Sequence, residues 1–234
     1  RQATDPDGST SHACRGDAAA REGAYRLLRN QHVEPEAICD GTFEAVADRA
    51  LGRKTVLAIQ DTTGVSFKHP VAQALADQGG PTGFVVHATL LVDVDDHMPI
   101  GLVDQERWIR DPERSREEHS RSRPYTEKES FKWEAATGRL RERMGSMASV
   151  ITVCDREADI IEYLSYHVEH ELRFVVRASA DRSTHTTEGR LWSTLEAAPE
   201  LGHFDVEIGQ RGGQLGGGGQ QARLPRKGRV ATVS

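Results

Sequence analysis

Cysteine is scarce, and the three present, Cys14, Cys39 and Cys154, are odd in number and far apart. Neither a disulfide framework nor a zinc site of closely spaced pairs follows from such a set. No apolar run approaches the ~20 residues of a membrane-spanning helix, and no signal-peptide pattern heads the chain. The expectation is a cytoplasmic protein with no membrane partner. An excess of positive charge is also missing. A formal net charge of −6 argues against a simple non-specific nucleic-acid binder, which is normally basic overall. Basic residues are gathered locally instead, at Arg223, Arg226, Lys227 and Arg229. The glycine-rich run from Gly209 to Gly219 lacks a following Lys-Ser or Lys-Thr and an ensuing helix, so it reads as a flexible loop and not as a phosphate-binding one.

Two stretches carry the chemistry. Val150-Ile151-Thr152-Val153-Cys154-Asp155 is an apolar, β-branched run too short for a helix, and Ala158, Ile161 and Leu164 then follow at helical spacing. Thr55-Val56-Leu57-Ala58-Ile59-Gln60-Asp61 has the same build and is followed by Thr62, Thr63 and Gly64. Each reads as a buried strand delivering a carboxylate at its end, where α/β proteins place their ligands. If the two strands are parallel neighbours, Asp61 and Asp155 converge at one sheet edge, and a divalent ion makes two such anions tolerable together. Asp155 also suits a second role as N-cap of the helix after it, with Ala158 at N3.

Residues 1 to 17 lack an apolar period and are expected to be disordered. Two helices follow, from Ala18 to Asn30, with Ala20, Ala24, Leu27 and Leu28 on one face, and from Pro35 to about Leu51. A short helix is expected after His69-Pro70. A hairpin is expected from Phe84 to Ile109, turning at Asp95-Asp96-His97. The charged stretch 110–127 reads as a solvated surface loop. Helices are expected from about Glu127 to Met144 and from Asp155 to about Val168, with a fifth strand from Leu172 to Arg177. The order from Thr55 to Arg177 is then β-β-β-α-β-α-β, an α/β class with a mixed five-stranded sheet and helices on both faces. This is the ribonuclease H-like order. Beyond it come a helix near Leu191 to Ala197 and strands at Phe204–Ile208 and Arg229–Val233.

On these residues the chain resembles the bacterial insertion-sequence DDE transposases of cut-and-paste type, in the branch marked by a Tyr-Arg-Glu-Lys signature. Leu57 to Thr63 is similar to that family's first catalytic strand, Val153-Cys154-Asp155-Arg156-Glu157-Ala158-Asp159 to its second, and Arg173 to Arg177 to the strand whose terminal Arg lies near bound DNA. Arg21-Glu22-Gly23-Ala24-Tyr25-Arg26 resembles the end of the family's amino-terminal DNA-binding domain. The resemblance implies a helical remnant of that domain at 18–52, a ribonuclease H-like catalytic core at 53–178, and the beginning of an inserted β-subdomain at 179–234. It implies catalytic and metal-binding roles for Asp61 and Asp155, DNA contacts from Arg177 and Arg156, and an outer-shell place for Glu157. Mg²⁺, with Mn²⁺ able to substitute, would be the cofactor of a two-metal phosphoryl transfer. The partners would be transposon-end DNA, target DNA and a second copy of the chain, in the cytoplasm at the nucleoid.

One element of the pattern is missing. The signature Tyr-x2-Arg-x3-Glu-x6-Lys occurs nowhere in residues 1 to 234, so the third acid is lacking, and a first residue of Arg in place of Met agrees with the expectation of a fragment cut at both ends. Such a fragment is expected to be inactive alone. One alternative is a stand-alone ribonuclease H-like nuclease that takes its third carboxylate from Glu129 or Glu134. The other is a non-catalytic module that only binds DNA or dimerises. His69, His87 and His97 have no ligand spacing and read as hydrogen-bonded surface or core residues. Trp108 and Trp133 read as core or interface anchors and not as base-stacking platforms, and Asp159 and Glu162 as an exposed helix face.

Overall fold

The computed structural model describes Cys14 and residues 17–66, 83–110, 123–200, 202–209 and 227–233. Apart from Cys14 and Asp17, the stretch 1–17 expected to be disordered lies outside the described residues, as do the short helix after His69-Pro70, most of the charged 110–127 stretch and most of the glycine-rich run. The chain divides into two compact units, Arg1–Ser179 and Ala180–Ser234.

In the first unit, α1 (Ala18–Arg29) starts where the Asp17 side chain accepts hydrogen bonds from the Ala19 and Ala20 amides, satisfying donors that a helix start leaves open. None of its residues is buried, and Leu27 and Leu28 are exposed. Helix α2 (Pro35–Ala50) opens on a proline in its first turn and buries Phe43, Val46, Ala47 and Ala50. Next come β1 (Val56–Ser66), β2 (Gly83–Asp93) and β3 (Pro99–Trp108), then α3 (Lys132–Met144), β4 (Val150–Cys154), α4 (Ile161–Glu169) and β5 (Arg173–Val176). The sheet order is β3-β2-β1-β4-β5. The β1–β2 and β2–β3 pairs are antiparallel, and β1–β4 and β4–β5 are parallel.

Alternation along the strands sorts side chains onto two faces. Val56, Ala58, Leu91, Val103 and Val150 join Val46, Ala47 and Ala50 of α2 and Leu140 and Met144 of α3 in one core. Trp133 of α3, Cys154, Ala158 and Tyr163 of α4 form a second cluster on the same side of the sheet. Among the described residues, helices α2, α3 and α4 therefore all pack on one face, where the strand order had suggested both. The reason lies in burial parity: Val56, Ala58, Val150 and Thr152 are buried, while the alternate residues Leu57, Ile59, Ile151 and Val153 are only half-buried.

Two helix starts differ from expectation. Lys128 adopts an extended backbone (φ −84°, ψ 150°), so 3₁₀ turns at Tyr125–Glu127 and Glu129–Phe131 precede α3, which begins only at Lys132. After β4 a single 3₁₀ turn, Arg156–Ala158, is followed by extended Ile160, and α4 starts at Ile161. Asp159 therefore does not lie on an exposed helix face. Its Oδ2 accepts hydrogen bonds from the backbone N–H and hydroxyl of Ser179 at 2.7 and 2.9 Å. Glu162 is exposed on α4.

Polar links fasten the helices to the sheet and to each other. Arg139 of α3 holds buried Asp104 of β3 in a two-pronged contact, both bonds 2.9 Å, and also reaches Glu106. Arg143 of α3 bonds Asp40 of α2 at 2.6 Å. Gly101, at φ 148°, lets α2 approach β3, because a Cβ there would lie 2.7 Å from a methyl of Val46.

The second unit contains α5 (Leu191–Ala197) and an antiparallel pair, β6 (Phe204–Ile208) and β7 (Arg229–Val233). Asp181 accepts the Trp192 amide at 3.0 Å, and the hydroxyls of Thr184, Thr186 and Thr194 bond one another.

Candidate active site

Backbone pairing between β1 and β4 runs from Val56–Val150 to Ile59–Val153. The pairing ends there, and Asp61 and Asp155 each stand two residues beyond it, at the same register offset, with the Asp155 backbone still extended (φ −79°, ψ −173°). On the other side of β4, Cys154 pairs with Val176, and the Arg177 amide donates to the Cys154 carbonyl at 3.2 Å, which brings Arg177 level with Asp155. Level residues of parallel neighbours share a face. Asp61, Asp155 and Arg177 thus form one row across three adjacent parallel strands, all three exposed, on the face away from the packed helices.

Both carboxylates have local partners. Asp61 accepts the Thr63 hydroxyl at 3.2 Å. Asp155 accepts the Glu157 amide at 2.9 Å and so caps the 3₁₀ turn. The capping role is thus realised by one carboxylate oxygen, Oδ1. Adjacent strands lie about 4.8 Å apart, so two carboxylates in one row suit ions separated by about 4 Å. The donors are charged oxygens, the kind Mg²⁺ and Mn²⁺ prefer, and Mg²⁺ is commonly held by one or two carboxylates with water completing its shell. By donor type the residues fit such an ion. Among the described residues, no group of three or more His, Cys, Asp or Glu is arranged to hold a metal.

No protein-family model matches this chain.

The remaining acids are engaged elsewhere. Glu129 is gripped by Arg110 through bonds of 2.6 to 3.2 Å; burial pushes its carboxyl up, but Arg110 and Lys132 outweigh that and hold it below the usual range. Glu134 is pushed upward, mainly by burial. Glu157 lies 3.8 Å from Lys132 Nζ. Arg156 is exposed on the 3₁₀ turn.

Lys132 was not singled out by its sequence context. Its side chain is nearly buried, with Nζ 5.5 Å from the Trp133 ring centre and 5.9 Å from that of Trp108, and it also lies 3.7 Å from Glu129. A fixed cation therefore stands beside the turn that carries Glu157. The sequence offers no periodic signal for it.

Beneath the row, on the helix-packed face, sits a polar chain that hydrophobic periodicity passes over. Gln60 Nε2 donates to Thr137 Oγ1 at 2.9 Å, Thr137 lies 3.0 Å from the Tyr163 hydroxyl, and Tyr163 lies 3.6 Å from Cys154 Sγ. His87 Nε2 meets Gln60 Oε1 at 3.4 Å, and its Nδ1 meets the Thr62 hydroxyl at 2.9 Å. The signal that could have found this chain is Gln60 itself, a polar residue at the inward parity of Val56 and Ala58.

Proposed function

We propose that this chain is part of a DNA transposase of the DDE type, acting on transposon-end DNA by divalent-metal phosphoryl transfer. The observation that supports this most is the row Asp61–Asp155–Arg177, in which two carboxylates and one cation share a face of three parallel strands: Asp155 and Arg177 directly follow the ends of β4 and β5, while Asp61 lies within β1, which continues to Ser66, and not at its end as the sequence suggested. The sheet order β3-β2-β1-β4-β5 is compatible with a ribonuclease H-like core. Asp61 and Asp155 would hold Mg²⁺ or Mn²⁺, which when bound activates the attacking hydroxyl and stabilises the leaving oxygen at a phosphate. Arg177, and Arg156 on the turn, would hold and orient the DNA backbone through charge-assisted hydrogen bonds. Homodimerisation on paired transposon ends belongs to the same reading.

With two acids and no signature Glu in residues 1 to 234, the chain alone should not turn over. Positioning alone can supply several kcal/mol of barrier lowering, so an incomplete site loses nearly all activity. The test has two parts. Titration with Mn²⁺, followed by the electron paramagnetic resonance signal of the free ion, should find weak binding that Asp61→Ala and Asp155→Ala each remove. Incubation with transposon-end DNA and Mg²⁺ or Mn²⁺ should leave the DNA uncut. Binding that ignores both substitutions would sink the metal reading. Cutting that both substitutions abolish would instead favour the self-sufficient nuclease and redirect attention to Glu129, Glu134 and Glu157.

A further inference from the structure

The backbone ladder between β1 and β4 stops at Ile59–Val153, two residues short of the carboxylates. What spans the two strands at the next level is made of side chains. Gln60 and Cys154, the residues immediately before Asp61 and Asp155, both point into the helix-packed core and are joined through Thr137 of α3 and Tyr163 of α4. All four are buried. On its far side, Asp61 is flanked by Thr62, which bonds to His87, which bonds in turn to Gln60.

One assignment of protons satisfies every link. The Thr137 hydroxyl donates to the Trp133 carbonyl at 3.0 Å and so accepts from both the Gln60 amide and the Tyr163 hydroxyl. Tyr163 then accepts from the Cys154 thiol. His87 donates through Nε2 to the Gln60 carbonyl oxygen and accepts from Thr62 through Nδ1. Burial supports the neutral forms this requires: it pushes the Cys154 thiol up to about 12 and the Tyr163 hydroxyl upward as well, and holds His87 down at about 3. A fully satisfied buried network rigidifies the groups it joins, and breaking one link leaves another polar group unpaired.

We propose that this relay, Gln60–Thr137–Tyr163–Cys154 with its His87–Thr62 arm, fixes the spacing of the Asp61 and Asp155 carboxylates where the backbone ladder no longer does. Thr137 and Tyr163 are then positioning residues of a metal site to which neither contributes a ligand. The inference rests on the metal reading above. Groups that orient ligands commonly contribute about tenfold or more to metal affinity.

The experiment uses the whole 234-residue chain and its Thr137→Val, Thr137→Ser, Tyr163→Phe, Asp61→Ala and Asp155→Ala variants, well below their melting temperatures. Mn²⁺ affinity is read by paramagnetic resonance, and amide hydrogen exchange at Asp61 and Asp155 is read without metal. Thr137→Val and Tyr163→Phe should weaken Mn²⁺ binding by about tenfold and speed exchange at both aspartates. Thr137→Ser, which restores the hydroxyl, should behave as the native chain. Tyr163→Phe keeps the ring and so guards against an unfolded Thr137→Val. Folded variants with native Mn²⁺ affinity and native exchange at the two aspartates would overturn the relay. Mn²⁺ binding insensitive to the two Asp→Ala changes would overturn the metal reading. In that case faster exchange in Thr137→Val would still establish the bracing of the strand ends, and unchanged exchange would remove that too.

Discussion

His87 is a fully buried imidazole whose ring edge meets Trp133 at 4.7 Å between centres. Burial, reinforced by the charges of Lys132 and Arg139, lowers its pKa from 6.5 to about 3. In the unfolded chain the ring takes its proton near 6.5. Below that pH the unfolded state binds more protons than the folded one, so the stabilising contribution is whole above 6.5 and drains away as pH falls toward 3. His167, buried in α4, is lowered in the same direction by burial. Urea unfolding between pH 7.5 and 4.5 should therefore show stability falling below pH 6.5, with each histidine adding a slope of up to about 1.4 kcal/mol per pH unit. A His87→Gln chain should be less stable at neutral pH and should show a visibly shallower slope. An unchanged slope would mean that His87 is not the titrating group.

At the scale of elements, the sheet is held to α2 and α3 by close approach and by polar anchors. Gly101 of β3 sits at φ 148°, and an added Cβ would meet Val46 at 2.7 Å. Gly101→Ala therefore combines backbone strain with overpacking against α2, each costing about 1 to 3 kcal/mol. Thermal melting should show a drop of several degrees, partly recovered by Val46→Ala, which vacates the colliding methyls. Recovery in the double variant is the decisive comparison, since backbone strain alone would be blind to residue 46. The Arg139–Asp104 contact works differently: it neutralises a carboxylate that is 1% exposed and ties α3 to the sheet beneath the candidate site.

For the whole molecule, the net charge of −6 means that DNA affinity must come from a local arrangement and not from overall attraction. Arg177 is exposed at the end of an edge strand, level with Asp155. Under the proposed function, Arg177→Gln should weaken binding to duplex DNA similarly across sequences and lower the slope of log affinity against log salt by about 1. A native salt slope would show that this arginine touches no phosphate. Among the described residues no helix is long and apolar enough to cross a membrane.

Local patterns decided much of this molecule in advance. The short β-branched run that stops at Asp155, the presence of a strand carrying Asp61, the proline at the start of α2, the turn at Asp95-Asp96-His97 and the apolar strand of β5 are all read from neighbours in the chain, because strand alternation and turn chemistry are properties of a few consecutive residues; that β1 runs on past Asp61 to Ser66 was set by its pairing with β2. The strand order followed from element order and the rules of crossover connection. What sequence periodicity did not contain was set by contacts between residues far apart. The late starts of α3 and α4 follow from Lys128 and Ile160 taking extended backbones. The absence of any buried residue in α1 depends on what lies across from it, and helix amphipathicity alone does not supply that. The polar relay is the clearest case: Gln60 and Thr137 stand 77 residues apart and Thr62 and His87 stand 25 apart. A hydrogen bond between them exists only because parallel strands and the two helices packed over them bring four local patterns to one point, and hydrophobic periodicity carries no information about which polar side chains will meet there.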